Sequence, residues 1–147
     1  MKRSNINHSV KNILAVCLTA VMIFMFSSCA RKITFLPSTV VPAAEGFVKV
    51  NKDKNNNYVI KIELINLAEP NKLQPPKKTY VVWMDANQEL TKNLGQINSS
   101  SSLLSQKLKA SFETVSPVKP TKIFITAEDD ASIQYPGWQI ILSTNSF

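Results

Sequence analysis

Histidine and cysteine are scarce in this chain. Its 147 residues include one histidine, His8, and two cysteines, Cys17 and Cys29. If residues 1–28 are removed on export, only Cys29 of these three remains. A chain without histidine or a second cysteine forms no disulfide and no Cys/His zinc site, and it has neither a Ser-His-Asp triad nor a Cys–His nucleophile. We therefore expect a protein that is not an enzyme and that holds no cofactor and no metal.

The N-terminal segment indicates why those residues would be lost. Residues 1–11 include Lys2, Arg3 and Lys11 but no acidic residue, and an uncharged, almost wholly apolar run follows from Ile13 to Phe26. A basic start, an apolar run and then small residues are typical of a secretory signal peptide. The run is shorter than the ~20 residues with which an α-helix crosses a bilayer. A removed signal is the prediction, and a retained membrane anchor is the alternative.

Two small residues precede Cys29 at the end of the apolar run. The sequence Phe26-Ser27-Ser28-Cys29 resembles the lipobox of bacterial lipoproteins, in which the cysteine is diacylated on sulfur before cleavage on its N-terminal side. Phe26 departs from the usual Leu or Val at the first position. The resemblance implies a signal peptide at residues 1–28 and lipidation of Cys29. Cleavage after Ala30 stays open, because Ser28-x-Ala30 also fits an ordinary signal peptidase site.

The charge of the exported chain is modest. The formal net charge falls from +7 to +4 when Lys2, Arg3 and Lys11 leave with the signal. This excess favours anionic neighbours such as lipid headgroups or acidic glycans. No dense basic stripe with interleaved aromatic residues is present, so we expect no nucleic-acid binding.

Residues 29–43 contain two prolines, Pro37 and Pro42, which favour extended backbone. We expect a lipid-anchored tether here, with a reach on the order of 50 Å for about sixteen residues of extended chain. The alternative is that "KITFL" (residues 32–36) is already a first strand of the fold.

Alternating apolar and polar residues recur along the rest of the chain, which is typical of β-strands. "GFVKV" (46–50) and "YVIKIELINL" (58–67) flank an asparagine-rich turn and predict a hairpin. In its second arm, the even-numbered residues from Tyr58 to Leu64 would face the core, whereas Lys61 and Glu63 would face solvent.

Further strands are predicted after a proline-rich connection (68–78) that would cross between sheets. "TYVVWMD" (79–85) is apolar on both faces and predicts a central strand. "ANQELTK" would form its turn and "NLGQI" its return, with a bulge at Gly95. "LSQKLKASFE" (104–113) fits an edge strand or a short helix, after a polar loop at the serine run 99–102. "TKIFITAE" and "WQIILST" predict two last strands.

About seven short strands without helical crossovers predict an all-β fold, an antiparallel β-sandwich of immunoglobulin-like architecture at residues 44–147. The Cys…Trp…Cys pattern of true immunoglobulin domains is absent from the sequence.

Several short motifs in the second half resemble the extracytoplasmic C-terminal domain of membrane-anchored anti-sigma factors and of small lipoproteins with similar domains. These motifs are Tyr80-Val-Val-Trp83, Asn93-Leu-Gly95, Phe124-Ile-Thr-Ala-Glu128 and Pro136-Gly137. The resemblance implies a β-sandwich with the Tyr-x-x-Trp strand at its centre. The cytoplasmic, often zinc-binding domain of those regulators has no counterpart here, so sigma-factor regulation is not implied.

Tyr135 and Trp138 are the candidate ligand-binding residues, because they flank the Pro136-Gly137 turn at a loop-to-strand junction where exposure is expected. Flat aromatic rings there would stack on the apolar faces of sugars, whereas Trp83 is expected in the core. The acidic run Glu128-Asp129-Asp130 fits either a solvated turn or a Ca²⁺ site. Acidic pairs such as Glu113 and Glu128 keep a glycoside hydrolase open as a further alternative.

These observations predict a non-enzymatic envelope lipoprotein, held by its lipid anchor on the periplasmic face of the outer membrane. The sandwich would serve as an interaction or structural domain that binds an envelope protein through a sheet face or edge. The alternative is a glycan-binding accessory lipoprotein that uses Tyr135 and Trp138.

Overall fold

Strands make up almost all of the regular structure. The computed structural model describes Ile13 and residues 32–87, 89–97, 99–100 and 109–147; Cys29 and the rest of residues 1–31 lie outside this description. The described part forms nine strands and one 3-10 turn, Pro70–Lys72. It contains no helix long and apolar enough to cross a bilayer. The strands are β1 (Lys32–Thr34), β2 (Glu45–Lys52), β3 (Tyr58–Ile65), β4 (Thr79–Ala86), β5 (Glu89–Ile97), β6 (Ser99–Ser100), β7 (Lys109–Ser116), β8 (Pro120–Glu128) and β9 (Ile140–Ser143).

The strands form two antiparallel sheets, which confirms the predicted sandwich. Sheet I has the order β1-β2-β3-β7-β6, and sheet II has the order β5-β4-β8-β9. The proline-rich connection after β3 crosses from sheet I to sheet II, as predicted. The chain crosses again between β5 and β6 and between β7 and β8. The count exceeds seven because β1 and β6 are strands of three and two residues.

The core lies between the inner faces of the two sheets. Sheet I contributes apolar residues from alternate positions of β2 and β3, because successive side chains of a strand point to opposite faces. Its buried members include Val48, Ile60, Ile62 and Leu64, as the alternation predicts. Sheet II contributes the other half of the core, which includes Tyr80, Val82, Met84, Ile123 and Ile125. Every buried core residue that the structure describes lies between residues 35 and 142, so a chain that begins at residue 29 retains all of these residues.

From Lys32 onwards, the segment assigned to the tether belongs to the sandwich instead. β1 pairs with β2, with Ile33 opposite Val48, and Phe35 forms a bridge to Thr144 in sheet II. Phe35, Val41 and Ala44 are buried in the core. These apolar side chains gain more by burial than an extended tether would allow. The domain boundary expected at residue 44 was therefore too late, and the first-strand alternative is the one that the structure shows.

Two turns differ in length from the prediction, and one bulge agrees with it. β5 begins at Glu89, so the β4–β5 turn is shorter than "ANQELTK", and the serine run includes strand residues Ser99 and Ser100. The register of β4 and β5 shifts directly after the pair of Val82 and Gly95, which confirms the bulge predicted at Gly95. Gly95 has a φ of 129°, a backbone conformation that favours glycine. β7 is a strand rather than a helix over its described residues.

Candidate functional site

The loop that joins β8 to β9 holds both candidate ligand-binding residues. We call residues 129–139 the aromatic loop. Tyr135 is 75% exposed and Trp138 is 77% exposed, as the sequence predicts for this junction. Ile140, at the start of β9, adds a further exposed apolar side chain. Most large apolar residues of the described chain are at least partly buried, so this cluster of exposed ones is unusual for a folded domain.

A buried carboxylate fixes the turn between the two aromatic residues. Glu128, 6% exposed at the end of β8, accepts the backbone N–H of Gly137 at 2.7 Å. A Cβ atom at position 137 would lie 2.7 Å from Glu128 Oε2, so only glycine fits there without displacing the carboxylate. A buried carboxylate is stable only where such charge-assisted hydrogen bonds replace water. The side chain of Glu128 is therefore a structural support of the loop.

The aromatic loop also covers part of the outer face of sheet II. Ala131 and Ile133 pack on a second apolar cluster formed by Val81, Trp83 and Phe124. The rings of Trp83 and Phe124 stack with centroids 6.4 Å apart. The indole N–H of Trp83 donates to Thr126 Oγ1 at 2.7 Å, so its polar atom is paired although the side chain is fully buried. Trp83 is thus a core residue, as predicted, and its cover comes from the loop.

Asn93 ties the aromatic loop to β5. Its side-chain amide donates to the carbonyl oxygens of Ala131 at 2.9 Å and Ile133 at 2.8 Å. Its side-chain oxygen accepts the N–H of Gly95, so one asparagine joins the β5 bulge and the loop. Asparagine suits this position because its amide has donors and an acceptor on one planar group.

Two acidic residues at the start of the aromatic loop complete its supports. Asp129 forms an ion pair with Lys77 at 2.6 Å, and the side chain of Lys77 is mostly buried. Asp130 Oδ1 accepts both the N–H and the hydroxyl of Ser132, each at 2.8 Å. These two bonds, the backbone one first, lower the pKa of Asp130 below its usual value. Farther along, the Gln139 amide donates to the carbonyl of Gln74 at 3.4 Å.

The acidic residues considered for calcium or for hydrolysis have separate partners. Glu128, Asp129 and Asp130 each bind a different group of the protein, and no set of three His, Cys, Asp or Glu side chains within the described ranges is placed to hold a metal ion. Glu113 lies on the outer face of sheet I, paired with Lys61 at 3.1 Å. Glu113 and Glu128 therefore lie on opposite sides of the sandwich and do not form a catalytic pair.

Two supports of the site were missed in the sequence. Asn93 lies two residues before Gly95, and its partners Ala131 and Ile133 are 38 and 40 residues away, so the local sequence does not show the contact. Lys77 lies in a proline-rich connection, and its partner Asp129 is 52 residues away, so nothing local marks it. Cys29, the predicted lipidation site, lies outside the described residues.

No protein-family model, curated protein or solved structure matches this chain.

Proposed function

We propose that this chain is an exported bacterial lipoprotein, acylated on Cys29, and that its sandwich is a non-enzymatic binding domain of the cell envelope. The signal-like N-terminus and the Phe26-Ser27-Ser28-Cys29 motif support export and acylation. The periplasmic face of the outer membrane is the location we propose.

The observation that carries the binding role is a well-supported loop that exposes two large aromatic side chains. Tyr135 and Trp138 are about three-quarters exposed, while Glu128, Asn93 and Lys77 hold the loop from three directions. Tyrosine and tryptophan are the side chains that most often dominate binding energy at protein interfaces. A loop that is already ordered loses less conformational entropy when it binds a partner. We therefore assign the contact surface to the aromatic loop, with an envelope protein as partner.

Photo-crosslinking in the producing bacterium tests this assignment. A photoreactive residue at Gln134, exposed beside Tyr135, should give a discrete crosslinked product. The product should be lost in Tyr135→Ala/Trp138→Ala and kept in Val115→Ala, which trims an apolar residue on β7 that is 54% exposed. A product that survives the double substitution would place the partner elsewhere on the sandwich.

Glycan binding is the second candidate, because exposed flat rings also stack on sugars. Titration calorimetry of residues 29–147 with envelope polysaccharides distinguishes the two functions. Heat that disappears in Trp138→Ala would favour the glycan. Absence of heat with all polysaccharides, together with a crosslinked protein, would exclude glycan binding as the function.

Metabolic labelling with a fatty-acid analogue tests the anchor. The wild-type chain should take up the label and Cys29→Ala should not. Equal labelling of both chains, or of neither, would contradict acylation at Cys29.

A further inference from the structure

One end of the sandwich carries the start of the fold and a group of lysines. We call Lys32, Lys52, Lys54 and Lys119 the basic end. Ile33, Lys52, Tyr58, Lys119 and Pro120 line one surface pocket, which places the β2–β3 turn, the β7–β8 turn and the start of β1 together. All four lysines are exposed, and none of them forms an ion pair with a residue that the structure describes.

Asp53, between Lys52 and Lys54 in the β2–β3 turn, is one acidic residue of this end, and its carboxylate accepts two backbone N–H groups. The donors are Asn55 at 2.7 Å and Asn57 at 2.9 Å. Asp85, on the β4–β5 side of sheet II, is hydrogen bonded to Thr91 instead. Glu89 also lies at this end by its register, since Ala86 pairs with both Glu89 and Pro120, and Lys122 lies here opposite Asp85. With Lys122, this end has five lysines against three acidic residues, Asp53, Asp85 and Glu89, so positive charge is in excess.

A crowded pair of ammonium groups lies on the same side of the domain. Lys32 is directly opposite Lys49 across β1 and β2, and both ammonium groups lie over the ring of Phe47, at 3.8 and 5.0 Å from its centre. Like charges directly opposite each other across strands are unfavourable. Lys49 has a distant partner in Glu63, at 3.8 Å. An anionic surface beside β1 would lower the remaining repulsion.

The aromatic loop lies at the opposite end of the sandwich. β8 starts at Pro120, which lines the pocket of the basic end, and finishes at Glu128, where the aromatic loop begins. A strand of this length spans about 26 Å at ~3.3 Å per residue. The backbone N–H of Lys78 donates to the Glu128 carbonyl, so Lys78 also belongs to that far end.

We propose that the basic end rests on anionic phospholipid headgroups and that the aromatic loop points away from the membrane. This inference rests on the proposed acylation of Cys29. Only Ala30 and Arg31 separate Cys29 from β1, and three residue steps span at most about 11 Å. A lipid anchor on Cys29 therefore holds the domain against the bilayer, with the four lysines at headgroup level.

Lysine footprinting tests the orientation. Residues 29–147, which contain all core residues that the structure describes, are coupled through the Cys29 thiol to a maleimide lipid in phosphatidylcholine vesicles that contain phosphatidylglycerol. A water-soluble amine-reactive ester then labels exposed lysines. We expect Lys54 and Lys119 to react several-fold more slowly than in the uncoupled chain. Lys72 and Lys78, exposed at the far end, should keep their rates. Equal rates at both ends, or protection of Lys72 and Lys78, would overturn the orientation.

Charge variants test the headgroup contact. Partition of the uncoupled chain onto vesicles of the same phospholipids without the maleimide lipid should fall about fivefold per lysine removed in Lys54→Gln/Lys119→Gln, since each basic residue adds a similar increment near an anionic surface. Lys72→Gln/Lys78→Gln carries the same charge change at the far end and should partition like the wild type. Equal losses in both variants would show that only net charge matters and would overturn the proposed contact.

The chemical coupling separates this inference from the proposed function. Because maleimide lipid supplies the anchor, footprinting does not depend on acylation in the cell. Metabolic labelling of Cys29 with no protection at the basic end would overturn the orientation alone. Protection without metabolic labelling would overturn the lipoprotein assignment and leave the basic end as a lipid-binding surface.

Discussion

The two sheets share one core, yet their outer faces differ in kind. The outer face of sheet I is wet, with exposed ion pairs such as Lys61–Glu113 and Lys49–Glu63. The outer face of sheet II buries Trp83 completely, because the aromatic loop folds over it. A strand that is covered on both faces has to be apolar at successive positions, which is what Val81, Val82 and Trp83 show. The aromatic loop therefore has two roles, since it covers the outer face of sheet II and also exposes Tyr135 and Trp138.

The largest expected loss of stability comes from removing the buried indole of Trp83 from the outer face of sheet II. Trp83→Ala should lower the free energy of unfolding by about 3–5 kcal/mol, because it removes a fully buried indole and leaves a cavity. Val115→Ala on the outer face of sheet I should cost much less, because that side chain is largely exposed. Urea denaturation of both variants measures the difference. Similar costs for the two would show that the outer faces are alike.

A smaller loss of stability should follow when the aromatic loop is loosened and the cluster of Val81, Trp83 and Phe124 beneath it is left intact. Asn93→Ala leaves the carbonyl groups of Ala131 and Ile133 without their donor and should cost about 1–3 kcal/mol. Trp83 fluorescence should also shift to the red as water reaches the indole. Asn71→Ala, at an exposed position, is the control and should change neither quantity. An unshifted emission spectrum would mean that the loop stays closed without Asn93.

The core between the two sheets should lose stability at alkaline pH because it contains Tyr80. Burial raises the pKa of Tyr80 from its ordinary value of 10.0 to about 12. The unfolded chain therefore loses the tyrosine proton first, and stability that is present below pH 10 is lost as the pH rises towards 12, by up to about 1.4 kcal/mol per pH unit.

Tyr80→Phe isolates this pH effect. The variant loses the 2.8 Å bond from the tyrosine hydroxyl to the Ala68 carbonyl, which should cost about 1 kcal/mol at neutral pH. Its unfolding free energy should fall less steeply than that of the wild type above pH 10. Parallel curves for the two proteins would exclude Tyr80 as the titrating group.

The smallest expected effect on stability concerns an ion pair on the solvent-exposed outer face of sheet I. In a double-mutant cycle of Lys61→Ala and Glu113→Ala, the coupling energy should be about 0.2–1 kcal/mol, because both side chains are about half exposed and solvent screens the pair. Salt should reduce it further. A coupling energy well above this range would show that sheet I is less solvated than its exposure indicates.

Local sequence patterns predicted those features of the fold that depend on neighbouring residues, such as which face of a strand a side chain occupies and where a bulge lies. The alternation from Tyr58 to Leu64 assigned the two faces of β3, and Gly95 marked the β5 bulge. β1 was assigned to a tether because Pro37 and Pro42 dominate the local pattern, whereas its pairing with β2 and the Phe35–Thr144 bridge are contacts far apart in sequence. The exposure of Tyr135 and Trp138 was predicted, but the supports from Asn93 and Lys77 were not.

The sequence by itself determined that this chain forms antiparallel strands, with a central apolar one at residues 79–85, and it marked Cys29 as the candidate attachment point. These features follow from side-chain alternation, turn chemistry and a short motif, which act over a few residues. Only the tertiary structure decided that Lys32–Thr34 is a strand of the sandwich, that the aromatic loop buries Trp83, and that the basic end and the aromatic loop lie at opposite ends. Those outcomes depend on which distant strands pair, and sheet pairing is set by burial summed over the whole core.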